Sequence, residues 1–202
     1  MARTGRLVVG ITGASGAIYA VRFLHQARYH FREVYLICSD QAIQVLQTEL
    51  GLDITRETLC AEVLLGAPWE GLKVLQPRDY FSPPASGSFR HDGMVIVPCS
   101  MGTLGRIANG TSDDLMTRAA DVCLKERRPL ILVVREMPFN RVHLHNMLLA
   151  VEAGATILPA CPAFYNRPRT LEEAVDTVVA RILQHLGVEQ TLVPEWGRTG
   201  DE

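Results

Sequence analysis

The sequence lacks the features that mark several common classes of protein. Its five cysteines are an odd number without a C-x-x-C pair, so we predict reduced thiols and a cytoplasmic location instead of a disulfide framework. No apolar run approaches the roughly 20 residues that a membrane-spanning helix needs. Charge of one sign is also missing, since 20 basic and 22 acidic side chains give a formal net charge of −2. This balance argues against a polycation that holds nucleic acid or an anionic membrane surface.

What is present is enough apolar material for one ordinary domain. Hydrophobic residues make up 48% of the 202 residues and charged residues 21%, a composition typical of a folded core. A chain of this length has room for one domain of usual size, which we predict over residues 1–187. The tail, residues 188–202, carries Trp196 in polar surroundings and is expected to pack on a neighbouring subunit or over a site.

Short β-branched runs alternate along the chain with longer stretches of helical period. The predicted strands cover residues 7–11, 34–38, 72–75, 94–98, 130–134 and 156–158. The predicted helices cover about 17–29, 41–50, 56–65, 112–127, 142–153 and 170–186, the last with a Thr170-x-x-Glu173 capping box. Ser39-Asp40 is expected to cap the second of these helices, and Ser112-Asp113-Asp114 to open the fourth. This alternation predicts an α/β fold with a doubly wound parallel sheet, Rossmann-like or flavodoxin-like. The segment 76–93, rich in Pro, Ser and Gly, is expected to pack on a neighbouring subunit or to cover a site.

The residues that follow the predicted strands are small, polar and rich in backbone N–H groups. Ligands of such sheets bind beyond the carboxyl ends of the strands, so these residues are the first candidates for a site. They are the turn 12–16, Ser39-Asp40, the run 99–103 and Arg135-Glu136. Hydroxyls, glycine-flanked amides and an arginine that meet at one edge suit a ligand that carries a phosphate. The glycine turn alone is weak evidence, because a tight strand-to-helix turn favours glycine for conformational reasons.

A second set of candidates consists of basic side chains on two predicted helices. Arg118 and Lys125 are seven residues apart and share a helix face, and Arg181 interrupts an apolar stripe. Each also has an ordinary structural interpretation, Lys125 as a solvated helix end and Arg181 as a snorkelling side chain. Taken together they predict a second anion site at the sheet edge, as a transferase acting between two phosphorylated small molecules would need. The histidines form no H-E-x-x-H, and no metal site is predicted.

Five runs of residues, in order along the chain, carry a more specific signal. They are Gly10-Ile-Thr-Gly-Ala-Ser-Gly16, Pro83-Pro-Ala-Ser-Gly-Ser88, Pro98-Cys-Ser-Met-Gly-Thr103, Ala119-Ala-Asp-Val-Cys-Leu-Lys-Glu-Arg-Arg-Pro-Leu130 and Val134-Arg-Glu-Met-Pro138. Together they resemble the motifs of the flavin prenyltransferase family, called UbiX in bacteria. The resemblance extends from about Arg6 to Trp196 and is far more specific than the glycine turn.

Membership of that family implies a flavodoxin-like fold and a defined reaction. A dimethylallyl group would pass from dimethylallyl monophosphate to reduced FMN, first to N5 and then to C6, without a metal. The product, prenylated FMN, would serve a UbiD-type decarboxylase, and members of the family assemble as homododecamers. The same resemblance links the protein to ubiquinone biosynthesis. Neither nucleic acid nor a membrane is an expected partner.

The resemblance also implies roles for individual residues. FMN would be held by Gly13, Ala14, Ser15, Ser39, Ser100, Met101, Gly102, Thr103 and Arg135. The dimethylallyl phosphate would be bound by Tyr80, Arg118, Lys125, Arg135, Tyr165 and Arg181. Catalytic roles would fall to Ser15, Glu49, Glu136 and Lys125, with the two glutamates handling protons. Such a set suits the chemistry, because a phosphate that departs from an allylic carbon leaves a cation behind. The leaving phosphate then needs hydrogen-bond donors around it, and the allylic cation needs aromatic faces beside it.

Two other functions stay open at this point. Flavin-dependent decarboxylases of peptidyl-cysteine or phosphopantothenoylcysteine share the fold and the first turn, but they use a catalytic histidine in an early helix and a P-A-S-A-N-T run. His25 and His30 are present without that context, and residues 98–103 differ from that run. The other alternative is a non-catalytic flavin-carrier subunit, which would tolerate loss of the basic residues.

Overall fold

The computed structural model describes residues 5–194, which form a six-stranded sheet with helices on both faces. The strands are β1 (Gly5–Ile11), β2 (Phe31–Cys38), β3 (Leu72–Leu75), β4 (Met94–Cys99), β5 (Leu130–Val134) and β6 (Thr156–Ile157). The helices are α1 (Ala17–His30), α2 (Asp40–Leu50), α3 (Ala61–Leu65), α4 (Met101–Ala108), α5 (Leu115–Lys125), α6 (Arg141–Glu152) and α7 (Leu171–His185). All neighbouring strands are parallel, and their order, β3-β2-β1-β4-β5-β6, reverses between β1 and β4. The predicted doubly wound parallel sheet is confirmed.

Alternating side chains of the strands form two hydrophobic cores, one on each face of the sheet. In β1, Leu7, Val9 and Ile11 face the first core, whereas Val8 faces the second. Helices α1, α2, α3 and α7 cover the first core, and α4, α5 and α6 cover the second. Because both faces are buried, the strands have continuous apolar sequences. Phe23 of α1 is fully buried, and burying a side chain of that size contributes about 1.5–3 kcal/mol.

Two helices differ from the prediction. Helix α4 is missing from it, since no element was predicted between the strand 94–98 and the helix that begins near residue 112. The two glycines inside α4 each lower its helix propensity by about 1 kcal/mol. Leu104 and Ile107 are buried in the second core, so tertiary packing outweighs that low propensity. Helix α3 is shorter than the expected 56–65 and covers only Ala61–Leu65.

The predicted helix start signals serve as capping residues. Ser39, Asp114 and Thr170 each accept a backbone N–H of the helix that follows, at 2.7–3.1 Å. The expected box at Thr170 is only half formed. The Glu173 carboxylate accepts the N–H of Arg169 at 2.6 Å, where a capping box would use the N–H of Thr170.

The irregular segment 76–93 packs on its own chain, along α5. The carbonyl of Pro77 accepts the first N–H of α5 at 2.7 Å. Farther along, the carbonyl of Ala85 accepts a hydrogen bond from Arg118 Nε at 3.1 Å. Beyond the end of α5, Arg128 donates to two more carbonyls of the segment, both at 2.6 Å. The segment therefore runs beside α5 from its first turn to its last.

The first residues of the predicted tail pack on their own chain. Val188 and Leu192 lie against the first core. Trp196 lies outside the described residues. Between residues 5 and 194, no helix is long and apolar enough to cross a membrane.

Candidate active site

The crevice in which a ligand would bind opens between β1 and β4, where the strand order reverses. Thr12, directly after β1, joins the ends of these two strands through its side chain. Its Oγ1 donates to the carbonyl of Pro98 at 2.7 Å and accepts the N–H of Ser100 at 2.9 Å. Because this hydroxyl is buried and paired both as donor and as acceptor, Thr12 shapes the crevice and supplies no donor to a ligand.

A groove of about 450 Å³ lies in this crevice. It is lined by Thr12, Gly13, Ser39, Gln41, Ser100, Gly102, Thr103 and Arg106. Its volume is in the range of small-molecule sites, and its polar lining consists of hydroxyls, amides and one guanidinium. Among residues 5–194, no group of three or more His, Cys, Asp or Glu side chains could hold a metal ion. The groups that line the groove suit an anion.

Two helix N-termini, those of α2 and α4, begin at the groove. Ser39 caps α2 by accepting the N–H of Ala42 at 3.0 Å, and Ser100 caps α4 by accepting the N–H of Thr103 at 3.3 Å. These helices, of 11 and 8 residues, carry partial positive charge at their first turns. The first N–H groups of each helix, together with the Ser39 hydroxyl proton, can bind a phosphate.

A carboxylate lies at the N-terminus of α1. Glu49, near the end of α2, accepts the N–H of Ala17 at 2.8 Å and the N–H of Gly16 at 2.9 Å. The Ser15 hydroxyl also donates to it. Burial raises the pKa of Glu49, but these hydrogen bonds and the charge of Arg135 outweigh burial and bring the pKa below its ordinary value. Glu49 is therefore ionised at neutral pH and holds the Ser15 hydroxyl in one direction.

Arg135 lies at the same edge of the sheet, directly after β5. Its backbone N–H donates to the carbonyl of Cys99 at 3.3 Å, which links the ends of β4 and β5. Its charge acts on Glu49 and also on Tyr19 of α1. Burial raises the pKa of Tyr19, as does Cys161, whereas Arg135 lowers it. The Arg135 side chain is exposed, so an anionic ligand can reach it.

The structure brings one part of the predicted set together at this edge. These residues are Gly13, Ala14, Ser15, Ser39, Glu49, Ser100, Met101, Gly102, Thr103 and Arg135. Glu136 follows them, but it is exposed and its carboxylate accepts the N–H of Met137 at 3.0 Å. The Tyr80 hydroxyl donates to the carbonyl of Ser112 at 3.2 Å, before α5 begins. Tyr165 is exposed on the loop after β6.

Three predicted basic residues lie elsewhere on the same chain. Lys125 is the last residue of α5 and lies at the edge of the sheet where the strands begin. It does so because β5 starts soon after Lys125, and the first residue of β5 pairs with the first residue of β4. Arg118 is bound to the segment 76–93. Arg181 is exposed near the end of α7, and its Nη1 donates to Gln184 at 2.6 Å. One chain alone therefore does not bring both predicted anion sites to one edge.

Sequence reasoning missed three residues of the crevice. Arg106 and Gln41 line the groove, and Tyr19 connects α1 to the loop after β6 by donating to the carbonyl of Ala160 at 3.4 Å. The signal for Arg106 is its position one helical turn after Thr103. That relation exists only when α4 is recognised as a helix.

Two glycines of the groove are expected to respond differently to alanine. A Cβ at Gly13 would lie 2.4 Å from the Cβ of Gln41, so Gly13→Ala has to displace the start of α2. We expect it to lower the free energy of unfolding by about 1–3 kcal/mol in urea titrations. A Cβ at Gly102 would meet nothing within 4 Å, so Gly102→Ala is the matched control. Alanine is the better helix former, and this control should unfold at the same urea concentration or slightly higher. Equal stability of both variants would contradict the described packing of α2 against the turn.

Comparison with known proteins identifies the family. A family model described as Flavoprotein matches residues 1–186. The chain is 45% identical over 196 residues to flavin prenyltransferase UbiX of Pseudomonas aeruginosa, covering 95% of this chain and 94% of that protein. The crystal structure of AnUbiX (PadA1) with FMN and dimethylallyl pyrophosphate has a TM-score of 0.85 at 38% identity, covering 99% of this chain and 100% of that one. A dodecameric FMN-dependent UbiX-like decarboxylase from Escherichia coli O157:H7 has a TM-score of 0.83 at 40% identity, covering 95% and 98%.

Cysteine decarboxylases are similar to this chain at a much lower level. The peptidyl-cysteine decarboxylase EpiD is 18% identical with a TM-score of 0.55, a likeness that shows the fold alone. The decarboxylase alternative is not favoured, because relatives 43–46% identical over nearly the whole chain are flavin prenyltransferases. The chain belongs to the Flavoprotein family and, within it, to the UbiX flavin prenyltransferases.

Proposed function

We propose that this chain transfers a dimethylallyl group from dimethylallyl monophosphate to reduced FMN and releases inorganic phosphate. One bond forms at N5 of the flavin and a second at C6, which closes a further ring and gives prenylated FMN. The observation that carries the proposal is the cluster of Ser15, Glu49 and Arg135 beside a phosphate-suited groove at the β1–β4 crevice. A relative of known structure, 38% identical, holds FMN and dimethylallyl pyrophosphate together, which supports the same pair of ligand classes here.

The residues of the groove fit the phosphate end of FMN. The Ser39 and Thr103 hydroxyls and the first N–H groups of α2 and α4 would hold the phosphate. The turn 13–15 and Arg135 extend the polar surface from the groove toward Glu49 and would hold the remainder of the flavin. When bound, FMN supplies the nucleophilic nitrogen and carbon and an aromatic face.

Arg135 and Glu49 carry opposite charges and have separate tasks. Arg135 would stabilise the phosphate dianion as it leaves, since charge-assisted hydrogen bonds gain most where water is excluded. Glu49 is ionised and fixes the Ser15 hydroxyl, so it can accept a proton that the reaction removes. Glu136, exposed next to Arg135, would be the second proton carrier.

The remaining ligands of the dimethylallyl phosphate would come from other copies of the chain. Helix α5 has 11 residues and spans about 15 Å, so Lys125 at its end cannot reach the carboxyl edge of its own sheet. A closed assembly such as the dodecamer of the Escherichia coli relative brings different surfaces of identical subunits together. We propose a homododecamer in which Arg118, Lys125 and Arg181 of adjoining copies complete the site. Tyr80, Tyr165 and Arg135 would be the other members of that site.

The product, prenylated FMN, is a modified cofactor. We propose that a UbiD-type decarboxylase receives it. All five cysteines are free thiols, which suits a reducing compartment, and we place the reaction in the cytoplasm.

The direct test is an anaerobic reaction followed by mass spectrometry of the flavin. Purified protein, reduced FMN and dimethylallyl monophosphate are mixed, with a protein-free sample as the control. The expected result is a flavin heavier by one isoprenyl unit, formed only with protein. The donor is then replaced by the diphosphate. Unmodified flavin with both donors, from a protein that binds FMN, would contradict the proposal and favour a flavin carrier.

A further inference from the structure

We propose that Arg106 gives the groove its selectivity for a phosphorylated flavin by orienting the hydroxyl of Thr103. Arg106 is thus a positioning residue, acting through Thr103 on the bound phosphate. The inference rests on the proposed placement of the FMN phosphate in this groove. Arg106 would then help to determine whether the groove prefers FMN, which carries a phosphate, over riboflavin, which does not.

The guanidinium of Arg106 is held in place from two directions. Its Nη1 donates to Asp113 at 2.6 Å and to Asp114 at 2.7 Å, at the start of α5. Its Nη2 donates to the Oγ1 of Thr103 at 3.3 Å. Burial lowers the pKa of Arg106, but Asp114 and Asp113 outweigh burial and raise it overall, so the group remains charged. A fixed cation therefore forms part of the groove wall.

The Thr103 hydroxyl receives two hydrogen bonds from within the protein. Besides the Arg106 Nη2, the Ser100 Oγ donates to it at 3.1 Å. An oxygen that accepts two hydrogen bonds has used both lone pairs, so its own proton has to point elsewhere. Thr103 is 4% exposed and lines the groove, which leaves a groove ligand as the acceptor. The side chain is a donor oriented before the ligand arrives.

A phosphate oxygen is the acceptor that gains most from such a donor. Hydrogen bonds to charged groups are worth more than those between neutral groups, and the nearby guanidinium adds attraction for an anion. Removing the Arg106 donor frees the Thr103 hydroxyl to rotate and to act as an acceptor toward a ligand. The variant should therefore lose the affinity that the phosphate contributes and keep the affinity that the rest of the flavin contributes.

The test compares the dissociation constants of FMN and riboflavin, because these ligands differ only in the phosphate. We expect the wild-type protein to bind FMN more tightly than riboflavin. Arg106→Gln should lower that ratio of affinities by about tenfold or more, with little change for riboflavin. Thr103→Val should act through the same contact, so the double variant should lose less than the two single losses combined.

The controls separate positioning from general damage. Arg6→Gln removes an arginine of similar side-chain exposure, 37% against 34%, that pairs with Glu33 at the amino end of the sheet, and it should leave the ratio unchanged. Arg106→Lys keeps a cation beside Asp113 but replaces the planar guanidinium, whose two separate nitrogens donate to Asp113 and to Thr103, by a single ammonium nitrogen. It should lower the ratio even if Arg106→Gln fails to fold.

Two different failures are distinguishable. If the wild type prefers FMN and Arg106→Lys keeps the full preference, or weakens both flavins equally, the positioning role of Arg106 is wrong. If the wild type binds FMN no better than riboflavin, the placement of the phosphate in the groove is wrong, and the proposed function loses that support.

Discussion

Replacing Glu49 by glutamine is expected to reduce prenyl transfer by about a hundredfold or more while the protein stays folded. The carboxylate accepts two backbone N–H groups at 2.8 and 2.9 Å and the hydroxyl of Ser15. A glutamine can accept only through one oxygen, its amide nitrogen is a donor aimed at other donors, and it cannot take up a proton. The measurement is the rate of prenylated FMN formation, with circular dichroism as the check on folding.

Glu49→Gln is also expected to change how the stability of the fold depends on pH. The pKa of Glu49 in the folded protein is below its ordinary value of 4.5, so its ionised form stabilises the fold. That contribution is complete above pH 4.5 and is lost as the pH falls through the lowered pKa. Thermal unfolding should therefore show the wild type losing its advantage over Glu49→Gln as the medium becomes acidic. Glu62→Gln, at an exposed position on α3, is the matched control and should behave like the wild type.

A normal rate of prenyl transfer in Glu49→Gln would contradict a role of Glu49 in proton transfer.

Mixing two inactive variants is expected to restore activity if the site is shared between subunits. Glu49→Gln damages the carboxyl edge of the sheet, and Lys125→Ala damages the far end of α5. In a randomly mixed oligomer, about one quarter of the sites would combine an intact Glu49 from one copy with an intact Lys125 from another. We therefore expect each variant alone to be nearly inactive and a one-to-one coexpressed mixture to recover about a quarter of the wild-type rate.

A matched mixture tests the geometry behind this result. Arg118→Ala and Lys125→Ala both alter α5, and both residues should enter a site from the same copy. Every site in their mixture would carry one defect, so no recovery is expected. A normal rate for Lys125→Ala alone would support the ordinary interpretation of Lys125 as a solvated helix end. Absence of recovery with Glu49→Gln would contradict a site shared between copies.

Much of the fold was predictable because its signals are local. Strands β3 and β5 have the predicted bounds, since short apolar runs between turn residues specify buried strands. Ser39 and Thr170 cap their helices as expected. Helix α4 was not predictable in this way, because its two glycines disfavour a helix and burial of Leu104 and Ile107 in the second core has to outweigh them.

The doubly wound parallel sheet and the polar residues at its strand ends follow from local sequence patterns, because hydrophobic period and capping residues act over a few positions. Which of those polar residues meet depends on contacts between elements that are distant along the chain. Thr12 and Ser100 are 88 residues apart, yet they join because β1 and β4 are neighbours in the sheet. Lys125 and Glu49 lie apart in one chain because α5 runs back across the sheet. The contact of Arg106 with Thr103 is local, one helical turn within α4. Its contacts with Asp113 and Asp114 depend instead on how α4 packs beside the start of α5, which no hydrophobic period encodes.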